Sequence, residues 1–131
     1  MNVAILGGGV GGVAAANRLR RILPQSSRVT VIERSPRFVV QPSLLWVVSG
    51  DRQPGQVTRP AAEVLDRGVE PFRAGIRAFD PAKRRIETDS GTRAADAVIV
   101  TLGVDLDLSA VPGFRAGALN LYDYAGAVAA R

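Results

Sequence analysis

Between the apolar run Val3–Leu6 and the next apolar stretch, the chain places Gly7, Gly8, Gly9, Val10, Gly11 and Gly12. Within it, Gly7-x-Gly9-x-x-Gly12 has the spacing of a strand that turns straight into a helix around a pyrophosphate. The first glycine permits the tight turn, the second lets phosphates approach the backbone, and the third lets helix and strand pack closely. The phosphates would rest on unpaired amides at the helix start, where the dipole favours negative charge. A carboxylate, Glu33, follows 21 residues after Gly12, the offset expected of an acid that takes ribose hydroxyls. The bare glycine spacing is weak in a chain with 14 glycines. A strand before it, a helix after it and an acid at that offset together make a dinucleotide-binding signature. Taken alone, Glu33 would read as a solvated acid paired with Arg34. No Gly-Lys-Ser/Thr follows the glycines, so the lysine and hydroxyl of a P-loop are missing. A carboxylate at Glu33 repels the 2′-phosphate of NADP, with Arg34 a partial offset. The spacing does not separate FAD from NAD.

Other chemistries are narrowed by composition. The 131 residues contain no cysteine and no histidine. That removes a disulfide framework, a zinc-thiolate site and a thiol nucleophile, together with the usual neutral-pH general base. No metal site is expected, no catalytic acid or base stands out, and the chemistry is expected to come from a bound group. The net charge of +5 is uneven: residues 1–50 carry six arginines against one acid, whereas residues 51–131 carry 11 basic and 11 acidic groups. Arg18, Arg20 and Arg21 read as the wet face of an amphipathic helix. With a single lysine and no basic run, nucleic acid is not an expected partner. No basic stretch precedes Val3 and the longest apolar run, Leu44–Val48, is too short to span a bilayer, so a cytoplasmic location is the default expectation.

The elements that would hold these residues can be read in order, and the length suits one domain. Val3–Leu6 reads as a strand buried on both faces, Gly11–Leu23 as a helix stopped by Pro24, and Arg28–Glu33 as a second strand, which completes a βαβ unit. Residues 34–59 read as loop with one helical turn near Leu44–Val48. Pro60 suits the first turn of a helix running to Arg67. Val69–Ala74 reads as a third strand. Ile76–Phe79, Arg84–Thr88 and Thr92–Ala94 follow as short strands separated by Asp80-Pro81 and Asp89-Ser90-Gly91 turns. Ala97–Thr101 reads as another buried strand, residues 104–117 as loop, and Tyr124–Arg131 as a helix.

The stretch VTVIERSPRFVVQPSLLWVVSGD, the meander-like GVEPFRAGIRAFDPAKRRIETDSGTRAAD and AVIVTLG together resemble the pyridine nucleotide-disulfide oxidoreductase superfamily. Within it they are most similar to the N-terminal part of sulfide:quinone oxidoreductases and type II NADH dehydrogenases. The resemblance implies an α/β, Rossmann-like FAD-binding domain, with a parallel sheet, a βαβ unit and a small β-meander. Residues 1–131 would form an incomplete FAD/NAD(P)-binding domain, the N-terminal portion only. It implies FAD as cofactor, with NAD less expected, and electron transfer to or from a quinone through the isoalloxazine ring. The amides of Gly8 to Gly12 would hold the pyrophosphate. Glu33 would bind the adenosine ribose and Arg34 lie beside the adenine. Gln41 and Pro42 would approach the ribityl or isoalloxazine part, Ile76 would meet the adenine edge through its backbone, and Thr101 and Gly103 would pack under the cofactor. Thr101 stands where the family usually has alanine and Leu102 where it has threonine. Trp46 reads as a packed aromatic cap over a loop rather than a flavin-stacking ring. Sulfide oxidation in the family uses cysteines, which this chain lacks; NADH dehydrogenases of this type need none. A partner chain carrying the missing half and self-association are further expectations, as is peripheral membrane association of the full-length relatives. The other reading is a non-catalytic module that binds FAD, NAD or ADP-ribose, or half of a split protein.

Overall fold

The computed structural model describes residues 1–131, and the chain's contacts gather into two compact units. The first comprises residues 1–38 and 60–103, the second 39–59 and 104–131.

The first unit is built on a parallel sheet. Strand β1 (Asn2–Leu6) leads into helix α1 (Val10–Ile22), and β2 (Arg28–Glu33) returns beside β1. β5 (Val69–Arg73) adds to β2 and β9 (Ala97–Val100) adds to β1, both parallel, so the order is β5-β2-β1-β9. Strands β6 (Ile76–Asp80), β7 (Arg85–Thr88) and β8 (Gly91–Ala94) form a separate antiparallel meander. Side-chain alternation explains why Val3–Leu6 is apolar throughout. Ala4, Leu6 and Ile32 face a core shared with Phe72, Ile76, Phe79 and Ile86, toward the meander. Ile5, Val29 and Val31 face the opposite core with Ala16, Leu19 and Leu65, toward α1. A sheet covered on both faces leaves its central strands no wet side.

Arg20 departs from the expected wet helix face: it is 6% exposed. Its guanidinium donates to the carbonyls of Ser27 (2.6 Å), Leu23 (3.1 Å) and Pro24 (2.7 Å), just past the end of α1. A cation placed there meets the carbonyls the helix leaves unpaired and the negative end of its dipole. Arg21 behaves as expected, exposed and paired with Asp66 at 2.7 Å.

The expected helix from Pro60 to Arg67 does not form. Pro60 ends the short strand β4 (Thr58–Pro60), and only Ala61–Val64 winds, as a 3₁₀ turn. The cause is Asn17 on α1. Its amide donates to the Val64 carbonyl at 2.9 Å and its carbonyl accepts the Asp66 amide at 2.8 Å, so the groups that would extend the helix are taken. Residues 34–59 are also less irregular than expected. β3 (Arg37–Val39) pairs with β4, and 3₁₀ turns at Gln41–Ser43 and Pro54–Val57 flank helix α2 (Leu44–Val48), which lies where the helical turn was read.

In the second unit Leu44 and Val47 of α2 pack with Val57 and with Ala127 of helix α4 (Tyr124–Ala129). The carboxylate of Asp123 caps α4 by accepting the Gly126 amide at 2.7 Å, as an N-cap aspartate should. Residues 104–117, read as loop, include one turn of helix, α3 (Phe114–Gly117). Trp46 is not a buried cap. It is 49% exposed, with the Arg52 guanidinium 5.1 Å from its ring centre.

Candidate nucleotide-binding site

The carboxyl ends of β1, β2 and β9 are stitched together by backbone. Gly7 donates to the Ile32 carbonyl at 2.9 Å, and Thr101 donates to the Leu6 carbonyl at 2.8 Å. At Gly7 the chain turns at φ +105°, a conformation side chains rarely adopt, and an added Cβ would stand 2.5 Å from the Thr101 carbonyl oxygen. At Gly12 an added Cβ would overlap the Gly7 carbonyl and lie 2.8 Å from Thr101 Oγ1. These two glycines serve the turn and the close approach of α1 to β1.

Gly9 is different. It caps α1 in ordinary extended geometry, and a Cβ built there meets nothing within 4 Å. Its carbonyl accepts the Val13 amide at 2.9 Å, which closes the first helical turn. The amides of Gly9, Val10, Gly11 and Gly12 are the four that a helix leaves without partners. No side chain caps them and no acid lies in the first turn. The result is an open, electropositive cradle suited to a pyrophosphate.

The Gly8 amide is not part of that cradle. It donates to Glu33 Oε2 at 2.8 Å, while Glu33 Oε1 accepts the Ser35 amide at 2.8 Å. The carboxylate is thus fixed at both oxygens, and each oxygen keeps a lone pair for a ribose hydroxyl. Beside it opens a cavity of about 240 Å³, lined among others by Gly8, Val13, Glu33, Pro36, Phe72 and Arg73. Pockets for drug-sized ligands run from about 300 Å³ upward, so this one suits a single base or nucleoside rather than a whole dinucleotide. Cradle, acid and cavity fit an adenosine diphosphate moiety in that order.

Glu33→Gln is expected to leave the fold intact and to lower ADP affinity about tenfold. The amide presents an N–H to one of the two backbone N–H groups and to the ribose, so one acceptor is lost on each side. Isothermal titration of ADP checks this; an unchanged affinity would remove Glu33 from the site.

The structure therefore gathers Gly7, Gly8, Gly9, Val10, Gly11, Gly12, Glu33 and Thr101 at one end of the sheet. Arg34 lies next along the chain. Ile76 opens β6 and packs into the core on the meander face, and it does not line the cavity. Gly103 has φ +74° and an added Cβ there meets nothing. Gln41 and Pro42 begin the first 3₁₀ turn of the second unit, Gln41–Ser43. Ser35, Phe72 and Arg73 were missed by the sequence reading. The parallel register of β2 with β5 sets Glu33 opposite Arg73, so the signal existed once that pairing was known.

No group of three or more Asp, Glu, His or Cys is placed to hold a metal ion, and no helix is long and apolar enough to cross a membrane.

Over 116 residues the chain is 30% identical to the mitochondrial sulfide:quinone oxidoreductase of Mus musculus, covering 88% of this chain and 26% of that protein. It is 28% identical to the demethylphylloquinone reductase NdbB of Synechocystis, covering 86% and 30%. The crystal structure of the sulfide:quinone oxidoreductase from Aquifex aeolicus superposes with a TM-score of 0.87 at 24% identity, over 98% of this chain and 30% of that one. NDH2 from Plasmodium falciparum gives 0.84 at 20% identity, over 99% and 28%. The chain thus spans between a quarter and a third of these relatives. The fold is that of FAD/NAD-binding Rossmann-type oxidoreductases. The pyridine nucleotide-disulphide oxidoreductase family profile matches residues 1–130, and the chain belongs to that family.

Proposed function

We propose that residues 1–131 form an incomplete FAD-binding domain that holds the ADP half of FAD in a quinone-linked oxidoreductase, of the sulfide:quinone or NADH:quinone type. The observation that carries this reading is the open amide cradle of Gly9–Gly12 set beside the doubly fixed Glu33 carboxylate. The amides bind the pyrophosphate, Glu33 orients the ribose and the adjoining cavity takes the base. When bound, the flavin supplies hydride or electron transfer through its ring, and the protein contributes position and electrostatics. Arg34, Ile76, Thr101 and Gly103 belong to the same site in this reading, and the assignment of Pro42 to the flavin rests on the family resemblance alone. FAD is preferred to NAD on the family resemblance. No residue of this chain is assigned as acid, base or nucleophile. With no cysteine, a persulfide step would need a thiol from another chain segment. A cytoplasmic location, with the membrane reached peripherally, completes the reading.

The test is to mix the purified chain with FAD, remove free cofactor and look for retained flavin absorbance. The flavin-loaded chain is then offered NADH or sulfide with a soluble quinone. Retained flavin with quinone reduction supports the enzyme. Retained flavin or ADP without turnover supports the second reading, a binding module or half of a split protein. A chain that retains neither FAD nor ADP contradicts both.

Strand β9 pairs only with β1, and Val100 at its end is exposed. An open apolar edge invites another strand, and we propose that a second copy, or a chain bearing the rest of the enzyme, supplies it. Sedimentation velocity is expected to show association that grows with concentration and weakens in Val100→Lys. A monomer at every concentration would contradict self-association.

A further inference from the structure

The glycine turn has a brace on its inner side that no part of the dinucleotide signature requires. Thr101 follows β9 and is partly buried. Its hydroxyl lies 3.0 Å from the Leu6 carbonyl oxygen and 2.9 Å from that of Gly7, while its own amide donates to Leu6 at 2.8 Å. One O–H is shared between two acceptors in that arrangement. Both acceptors belong to the peptide units that carry the chain out of β1 into the turn. The same side chain also faces the start of α1: Oγ1 is 2.8 Å from the position of a Cβ on Gly12, and Cγ2 is 3.8 Å from one on Gly11.

We propose that Thr101 is a positioning residue for the pyrophosphate cradle. It touches no phosphate itself. It fixes the Gly7 carbonyl, which lies directly beneath Gly12, and so sets how the free amides of Gly9–Gly12 are presented. Alanine, the residue expected here from the family resemblance, supplies neither the Oγ1 hydroxyl nor the Cγ2 methyl. The Gly7 carbonyl accepts no other hydrogen bond. Removing the hydroxyl therefore leaves a part-buried carbonyl without a partner, next to a glycine already at positive φ and free to rotate its peptide. Preorganisation of the amides is what binding would otherwise have to restore.

This inference rests on the proposed nucleotide reading, and the experiment separates the two. ADP and adenosine are titrated into the full chain and into Thr101→Val, Thr101→Ser and Thr101→Ala, with a melting curve for each. Adenosine reports the base and ribose contacts without the phosphates. Thr101→Val is expected to lower ADP affinity about tenfold while adenosine affinity stays within about twofold. Thr101→Ser is expected to stay close to the wild-type ADP affinity and Thr101→Ala to fall with the valine variant. The serine–alanine pair isolates the hydroxyl even if the valine variant does not fold. Equal ADP affinities for serine and alanine variants would overturn the proposal. So would a parallel loss for ADP and adenosine, which marks a merely structural residue. A wild-type chain that binds neither ligand would instead overturn the nucleotide reading itself.

Discussion

Replacing Gly12 with valine is expected to cost more than about 3 kcal/mol, at the upper end of what overpacking does. The reason is backbone against backbone. The added Cβ would overlap the Gly7 carbonyl, and Thr101 Oγ1 closes the other side at 2.8 Å. No flexible side-chain end is available to move aside. The two extra methyl groups deepen the overlap and push α1 off the sheet, away from Ile5, Val29 and Val31, against which Ala16 packs. A domain has only about 5–15 kcal/mol in total, so the melting temperature should fall by more than about 10 °C. Thermal unfolding followed by circular dichroism checks this. A change within about 2 °C would show that the close helix–strand approach is not as tight as described.

Gly9→Val should do the opposite: little to stability and much to binding. Gly9 sits at φ −70° and ψ −172°, ordinary for any residue, and a Cβ there meets no protein atom within 4 Å. Stability should stay within about 0.5 kcal/mol. The side chain fills the space through which phosphate oxygens reach the Gly9–Gly12 amides. Losing two charge-assisted hydrogen bonds, at about 1.5 kcal/mol or more each, corresponds to at least about a hundredfold loss of ADP affinity. Unchanged ADP affinity in a well-folded Gly9→Val protein would place the ligand elsewhere. The two substitutions sit three residues apart in one motif, and their contrast separates its packing role from its binding role.

Much of this was legible in the sequence because the relevant interactions are local or periodic. The apolar run at residues 3–6 announced a strand buried on both faces, the β-branched run at 28–33 a second strand, and the glycines with Glu33 the candidate site. Residues 97–101 read as a buried strand, but β9 is exposed at Ala97 and Val100. What was not legible depended on distant partners. The helix expected after Pro60 was undone by Asn17, more than forty residues earlier, whose side chain takes the Val64 carbonyl and the Asp66 amide. Arg20 read as a wet-face residue because nothing in its neighbourhood shows that the chain folds its Ser27 and Pro24 carbonyls back over it. The pairing of β3 with β4 joins segments about twenty residues apart and is too short to carry a pattern. Around the site, the family resemblance placed Gly8 with the phosphate-binding amides. The structure turns its amide to Glu33 instead, an arrangement that only the adjacency of β1 and β2 reveals.

The most direct test of the account is to follow the backbone amide resonances of isotope-labelled protein during titration with ADP and, separately, with adenosine. The account predicts that the amides of Gly9, Val10, Gly11 and Gly12 shift together and saturably with ADP, at one ligand per chain, and hardly move with adenosine. Saturable ADP shifts that bypass these four amides, or none at all at millimolar ADP, would contradict it.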